Sequence, residues 1–304
     1  MNCRNFLSLI ILVAGSITAV AQSNLLNAKS PDEIGKKSVD QLLAENDTPL
    51  PYGFVADRDI LMGKAVWEII DLDERINFPL YFPVDTANIG NERRSLFHVL
   101  IKAIKDGSLT EVYADSYFNT KRTLKELENT FKFRDTVDAG RDEINTFYDD
   151  YMSGAKVLDL QFIDERFLTS QDVTGYRIKG LRYFDKRQGE LKYRMVGICP
   201  VATEARDIGN PDAVPIELFW IYFPAARDIL NMSYAFNDKN SAMPISFDRL
   251  LNSRRFNAVI YQEENVYGDR EIEKYMKDNA QMQLLEAERV KDKIRDFEQD
   301  MWNY

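Results

Sequence analysis

The side chains of this chain that could do chemistry are few, and each lacks the companions its reaction needs. His98 is the only histidine and sits inside the apolar run Leu96-Phe97-His98-Val99-Leu100. A zinc site needs further His or Cys ligands at fixed spacing, and none accompany it. A Ser-His-Asp triad would have to use His98, yet Met152-Ser153-Gly154 lacks the leading glycine of a G-x-S-x-G elbow. No P-loop or G-x-G-x-x-G string is present to cradle phosphate. Carboxylates cluster at Asp71, Asp73 and Glu74, at Asp149 and Asp150, and at Asp164 and Glu165. Two carboxylates across a cleft suffice for glycoside hydrolysis, so a carboxylate-dependent hydrolase is the enzymatic reading. Among 49 acidic residues, however, such clusters are expected on any solvated face. Asp71-Leu72-Asp73-Glu74 also lacks the glycine and ligand spacing of a calcium loop. Cys199 follows an apolar stretch and reads as a small packed hydrophobe. Trp67 and Trp220 read as core anchors. No catalytic, cofactor-binding or metal-ligating residue is assigned, and no cofactor is expected.

The first residues fix the expected compartment. Arg4 precedes the apolar run Phe6 to Val13, and small residues close on Ala19-Val20-Ala21 before Gln22. This is the charged region, short apolar core and A-x-A cleavage site of a secretory signal peptide over 1–21. The core is too short to span a bilayer, and no later segment offers roughly 18 apolar residues. An anchored lipoprotein would need a cysteine where Gln22 stands. Removing the leader leaves about 283 residues with 38 basic against 49 acidic side chains, a formal charge of −11. Such a chain repels nucleic acid and anionic lipid. Cys199 then stands alone, so no internal disulfide forms, and a core of this size does without one. The expectation is a folded periplasmic protein of a Gram-negative bacterium.

The elements follow from periodicity. Residues 22–51 are polar and aperiodic, an extended arm. A first α+β lobe is expected over 52–135, with a helix at Arg94–Lys105 ended by Asp106-Gly107 and a short strand at Leu109–Tyr113. Residues 136–215 read as a linker and β-hairpin, with strands at Tyr176–Phe184 and Glu190–Ile198 joined through Asp185–Gly189. A second lobe over 216–267 repeats the order of the first. Leu218–Pro224 and Ala226–Asn231 stand where Val66–Ile70 and Arg75–Asn77 stand, Ile245–Leu251 matches Ser95–Leu100, and Val259–Tyr261 matches Val112-Tyr113. Such self-similarity is the mark of an internal duplication. Residues 268–304 read as one long helix with Asp269 as N-cap and a Glu273–Lys277 pair. Its Met276, Ala280, Gln283, Ala287, Val290, Ile294, Phe297 and Met301 recur at about 3.5 residues. That stripe fits either a helix on its own domain or a coiled-coil docking arm.

Several ordered strings resemble the GldN family of gliding motility proteins, called PorN in non-gliding members of the Bacteroidetes. They are Leu181–Lys186, Val196–Pro200, Glu217–Pro224, Phe247–Leu250 with Val259–Tyr261, and Val66-Trp67 leading to Pro79–Pro83. The likeness runs from about Pro51 to Tyr267. It implies a periplasmic, non-enzymatic part of the type IX secretion system, peripherally associated with the outer membrane. The implied partners are a GldK/PorK-like lipoprotein, with which it forms a ring, and the periplasmic region of a GldM/PorM-like motor component acting with GldL. The resemblance supplies no catalytic residues, so none are carried over.

The expected fold is α+β, with two similar lobes around a β-rich middle and a long C-terminal helix. A ring subunit needs broad apolar patches. A hydrolase needs a cleft with convergent carboxylates, and a soluble ligand-binding protein needs a closed apolar pocket between the lobes. For the ring, the N-terminal arm and the C-terminal helix are the expected fastenings, so removing Gly268–Tyr304 should leave a folded core that no longer assembles.

Overall fold

Strand β1, Ile60–Asp71, sets Val66, Glu68 and Ile70 on one side and Ala65, Trp67 and Ile69 on the other, and its β-branched and aromatic residues suit a sheet covered on both faces. The structure, a computed structural model, describes residues 48–85, 93–154, 156–210, 212–237, 245–277 and 279–302. Residues 49–304 form one compact unit; the other unit, 1–48, lies outside the described residues apart from Thr48. The expected signal peptide at 1–21, and the arm up to residue 47, therefore lie outside them.

After β1 come α1 (Phe78–Tyr81), α2 (Leu96–Lys105), β2 (Val112–Tyr113) and α3 (Leu124–Phe131). An excursion follows, made of β3 (Lys132–Thr136), α4 (Asp138–Thr146), α5 (Tyr148–Met152) and β4 (Ile163–Phe167). The long hairpin is β5 (Val173–Asp185) and β6 (Glu190–Ala202). The second half holds β7 (Ile216–Glu217), β8 (Trp220–Tyr222), α6 (Phe223–Met232), β9 (Tyr234–Ala235), β10 (Ile245–Ser246), α7 (Phe247–Asn252) and β11 (Val259–Glu263). Two further helices, α8 (Ile272–Tyr275) and α9 (Ala280–Trp302), close the described chain.

The class is α+β, as the sequence indicated, and the hairpin sits where alternation placed it, in register Asp185↔Glu190 with Gly189 at φ 67° in the turn. The two halves keep the order strand, helix, helix, strand. They share one antiparallel sheet, ordered β11-β1-β5-β6-β8-β2, with β7 on β6, and do not each form their own. The last strand of each half therefore lies beside the first strand of the other: β11 pairs β1, and β2 pairs β8. Helix starts fix the correspondence one residue from the sequence match. Ser95 Oγ accepts the His98 amide at 3.2 Å and Ser246 Oγ accepts the Arg249 amide at 3.3 Å, so the two serines are equivalent caps. Likewise α1 and α6 both open on Phe-Pro, at Phe78-Pro79 and Phe223-Pro224.

One face of the sheet buries Ile70, Tyr176, Ile178, Ile198 and Ile221 beneath Leu96 and Leu100 of α2, Phe223 and Leu230 of α6, and Phe247 and Leu251 of α7. The opposite face carries Trp67, Cys199 and Trp220. Phe118, at φ 61°, lies across it on Gly197, where a Cβ would stand 2.6 Å from the ring. Any larger residue at 197 would lift that cover.

Helix α9 answers the alternative left open by its stripe: it packs on its own sheet. Ala287, Val290 and Ile294 are buried against Val66, Ile260 and Ile272, and Phe297 meets Phe184 edge-on at 6.0 Å. The tail is not one helix from Gly268. Asp269 is no N-cap but stands at φ 55°, accepting the Asn265 amide at 3.0 Å and the Tyr117 hydroxyl at 3.1 Å. Helix α8 ends before Lys277, so Lys274 pairs with Glu271 at 3.4 Å and the Glu273–Lys277 pair is not made. Asn279 Oδ1 accepts the Met282 amide at 3.0 Å and starts α9.

Because α9 completes the core, removing Gly268–Tyr304 would uncover Val66 and Ile260 on the sheet and is expected to destabilise the fold. Ile294→Ala is expected to lower stability by about 2–5 kcal/mol, read as a fall in the urea midpoint; an unchanged midpoint would contradict the packing.

Candidate functional site

The reactive side chains singled out from the sequence do not converge. His98 is half-buried on α2, and burial followed by the charges of Arg94, Lys102 and Lys105 holds its imidazole below the ordinary histidine range. Cys199 is fully buried between Trp67 and Trp220, its thiol pushed well up by burial, and it is held as a protonated hydrophobe. The carboxylate clusters are solvated or already paired. Asp71 accepts the Asp73 amide at 2.9 Å, Glu74 accepts Asn257 Nδ2 at 2.7 Å, Asp164 pairs with Arg166 at 2.8 Å and Glu165 with Lys132. Asp149 and Asp150 are exposed. Hydrogen bonds from Lys121 and Arg289 hold Glu111 and Glu286 below the usual carboxylate range, the opposite of what a general acid requires. Among the described residues no group of His, Cys, Asp and Glu side chains is arranged to hold a metal ion.

Charge is instead buried where elements meet. Glu68, 1% exposed, projects from β1 at the seam between the helices of the main core and α9. It takes Arg182 Nη2 at 2.7 Å from β5 and Arg254 Nη2 at 2.8 Å from the turn after α7. Arg254 stands at φ 49°, with its guanidinium 4.2 Å from the Tyr193 ring centroid. Burial and then the Glu68 charge raise the Tyr193 phenol. The adjoining cavity is polar and about 150 Å³, lined in part by Glu68, Arg182, Arg254 and Lys291. Ligand pockets are roughly 300–1,000 Å³ and mostly apolar, so this space does not match the pocket a ligand-binding protein would need.

Two more clusters work the same way. Arg227 holds Asp248 through two bonds of 2.8 and 3.1 Å, donates to Leu50 O at 2.7 Å, and lies 4.2 Å from the Tyr52 ring centroid. Tyr52 in turn donates to Asn252 at 2.8 Å, so 50–52 is fastened onto α6 and α7. Arg177 pairs with Glu217, which also accepts Trp220 Nε1 at 2.8 Å. Lys179 covers Trp67 at 4.6 Å from its ring, and both tryptophans are buried anchors as expected. Paired across element boundaries in this way, the buried charges fix which element meets which.

The surface carries the unspent apolar area. The excursion 132–167 contributes no apolar side chain to the described core, yet Met152, Val157 and Leu160 stand 68%, 86% and 76% exposed, with Phe147, Tyr148 and Phe167 about half exposed beside them. This concentration of exposed apolar side chains within one segment makes the excursion the candidate interaction surface. The excursion is rooted by Leu168 N on Phe131 O at 2.8 Å and by Arg166 on the carbonyls of Arg206 and Ile208 at 3.1 and 3.0 Å.

The sequence matches the family model described as Gliding motility associated protein GldN over residues 55–303. The chain belongs to the GldN family. It is thereby a protein associated with gliding motility and type IX secretion. The match begins just past the Tyr52 fastening and runs through α9, so it takes in nearly all of the compact unit. A comparison with curated proteins found no match. Among the described residues no helix is long and apolar enough to cross a membrane.

Sequence reasoning divided the excursion of this GldN-family chain between the first lobe, up to 135, and the linker and β-hairpin region 136–215. The signal that was there is compositional: many aromatic and aliphatic residues in a segment assigned no core. The Glu68 seam leaves a sharper test. Glu68→Gln keeps the shape but leaves two guanidinium groups facing each other, and should cost about 3–5 kcal/mol in chemical denaturation. Stability equal to the parent chain would refute the seam's role.

Proposed function

We propose that this chain is a non-enzymatic structural subunit of the periplasmic ring of the type IX secretion system. It assembles with a GldK/PorK-like lipoprotein, which holds it at the outer membrane, repeats with sister copies around the ring, and contacts the GldL–GldM motor. Protein secretion across the outer membrane and gliding depend on that assembly. The observation that carries the reading is the family match over nearly all of the compact unit, 55–303. Two features support it: buried charges are committed to holding elements together, and a charged, apolar excursion is left outside the core. The carboxylate-dependent hydrolase has no comparable support, because the acidic clusters that suggested it are solvated or ion-paired.

Isolating the tagged full chain from solubilised envelopes tests the proposal. A lipoprotein and a motor component should come with it in a particle far larger than one subunit, and deleting the gene should block type IX export. Recovery of a lone monomer, or export that continues without the chain, would overturn it.

A further inference from the structure

We propose that the cavity at the Glu68 seam binds a small oxyanion of the phosphate or sulfate type, held by Arg182 and Arg254 with Lys291 at its mouth.

The charges at the seam do not balance. Two guanidinium groups, both largely buried, meet the single buried carboxylate of Glu68. Arg182 Nη2 donates to Glu68 Oε1 at 2.7 Å, and Arg254 Nη2 lies 2.8 Å from Oε2. Both carboxylate oxygens are thus taken, while one positive charge is left over in a place shielded from water. A buried charge is costly unless it is paired. Among the described residues, Arg182 Nε and Arg254 Nη1 are also buried and donate to no acceptor. Donors left over in an interior call for an ion or ordered water.

The cavity of about 150 Å³ lies against the same side chains. Its charged walls are Arg182, Arg254 and Lys291 against Glu68 and Glu288, three basic and two acidic, a net of +1. Glu288 and Lys291 pair with each other at 3.6 Å where the wall meets solvent. Beyond the wall, Glu74 accepts from Asn257 Nδ2 at 2.7 Å, and Arg255, next to Arg254 in the chain, offsets it. The positive balance therefore survives the neighbours. The donor geometry selects the class of anion, because a guanidinium presents its N–H groups as a rigid planar fork that matches an oxyanion. The rings of Tyr193 and Phe256, 4.2 and 5.2 Å from the Arg254 guanidinium, hold that fork in place. The volume is below that of organic-ligand pockets but several times the roughly 30 Å³ share of one water, so a small anion with its waters fits. The walls come from β1, β5, the α7–β11 turn and α9, so a bound oxyanion would bolt these elements together and stabilise the folded chain over the unfolded one.

Thermal melting and titration calorimetry of the full chain in sodium phosphate, against sodium chloride at equal ionic strength, test this. Phosphate should raise the melting temperature saturably, with one site per chain. Arg182→Lys and Arg254→Lys keep the charge but lose the fork, and should weaken phosphate binding at least about tenfold. Lys291→Gln, at an exposed position, should keep the parent's circular dichroism and weaken binding about threefold or more. If phosphate does no more than chloride, the cavity holds water only and the proposal is wrong. If Lys291→Gln and whichever lysine variant folds bind phosphate as the parent does, the anion sits elsewhere and the assignment is equally wrong.

Discussion

The fold depends on each half of the chain completing the sheet of the other. Strand β11, the last of the second half, lies on β1, the first of the first half, and β2 lies on β8 in the same manner around the β5–β6 hairpin. Neither half has a full set of strand partners by itself. Asn77 pins the exchange at the buried junction: its Nδ2 donates to Asp71 O at 2.6 Å and Asn257 O at 3.2 Å, and its Oδ1 accepts the Asn257 amide at 2.9 Å. A buried amide satisfied this fully specifies one pairing, since any slip would leave its polar groups without partners. Helix α9 then covers Val66 and Ile260, one from each half.

The buried charges follow the same logic. Glu68 with Arg182 and Arg254 ties β1 to β5 and to the α7–β11 turn, and Arg227 with Asp248 ties α6 to α7 while receiving the chain at Leu50 and Tyr52. Ion pairs in a core contribute little net stability compared with apolar packing, but they discriminate strongly against wrong partners. The excursion is rooted at Phe131 and Leu168 and, through Arg166, at the carbonyls of Arg206 and Ile208, and it adds no apolar side chain to the described core.

How much of this was legible in the sequence follows the range of the interactions. The hairpin was readable because alternation and a Gly189 turn are local, and α2 because its apolar spacing runs up to Asp106-Gly107, while its Ser95 cap emerged only from the structure. The 3.5-residue stripe of α9 was readable as helical, but its partner was not, since Val66 and Ile260 are distant in the chain. Similar order in the two halves was visible by eye, but the exchange of strands was not, because pairing across halves leaves no local pattern. Asp269 looked like a cap from its type alone; the positive φ that makes it a turn residue depends on Tyr117 and Asn265. Of the candidate site, the lack of a second histidine beside His98 was plain from composition. The excursion was not, because unburied apolar residues carry no period.

Native-state hydrogen exchange on the pairs β1–β11 and β2–β8 bears most directly on the interlocked sheet. If the halves complete each other, amides of Val66–Ile69, Val259–Glu263, Val112-Tyr113 and Trp220–Tyr222 should be released in one cooperative opening, with a common free energy and a common dependence on denaturant. Opening of one half at lower denaturant, with the strands of the other still protected, would contradict the account.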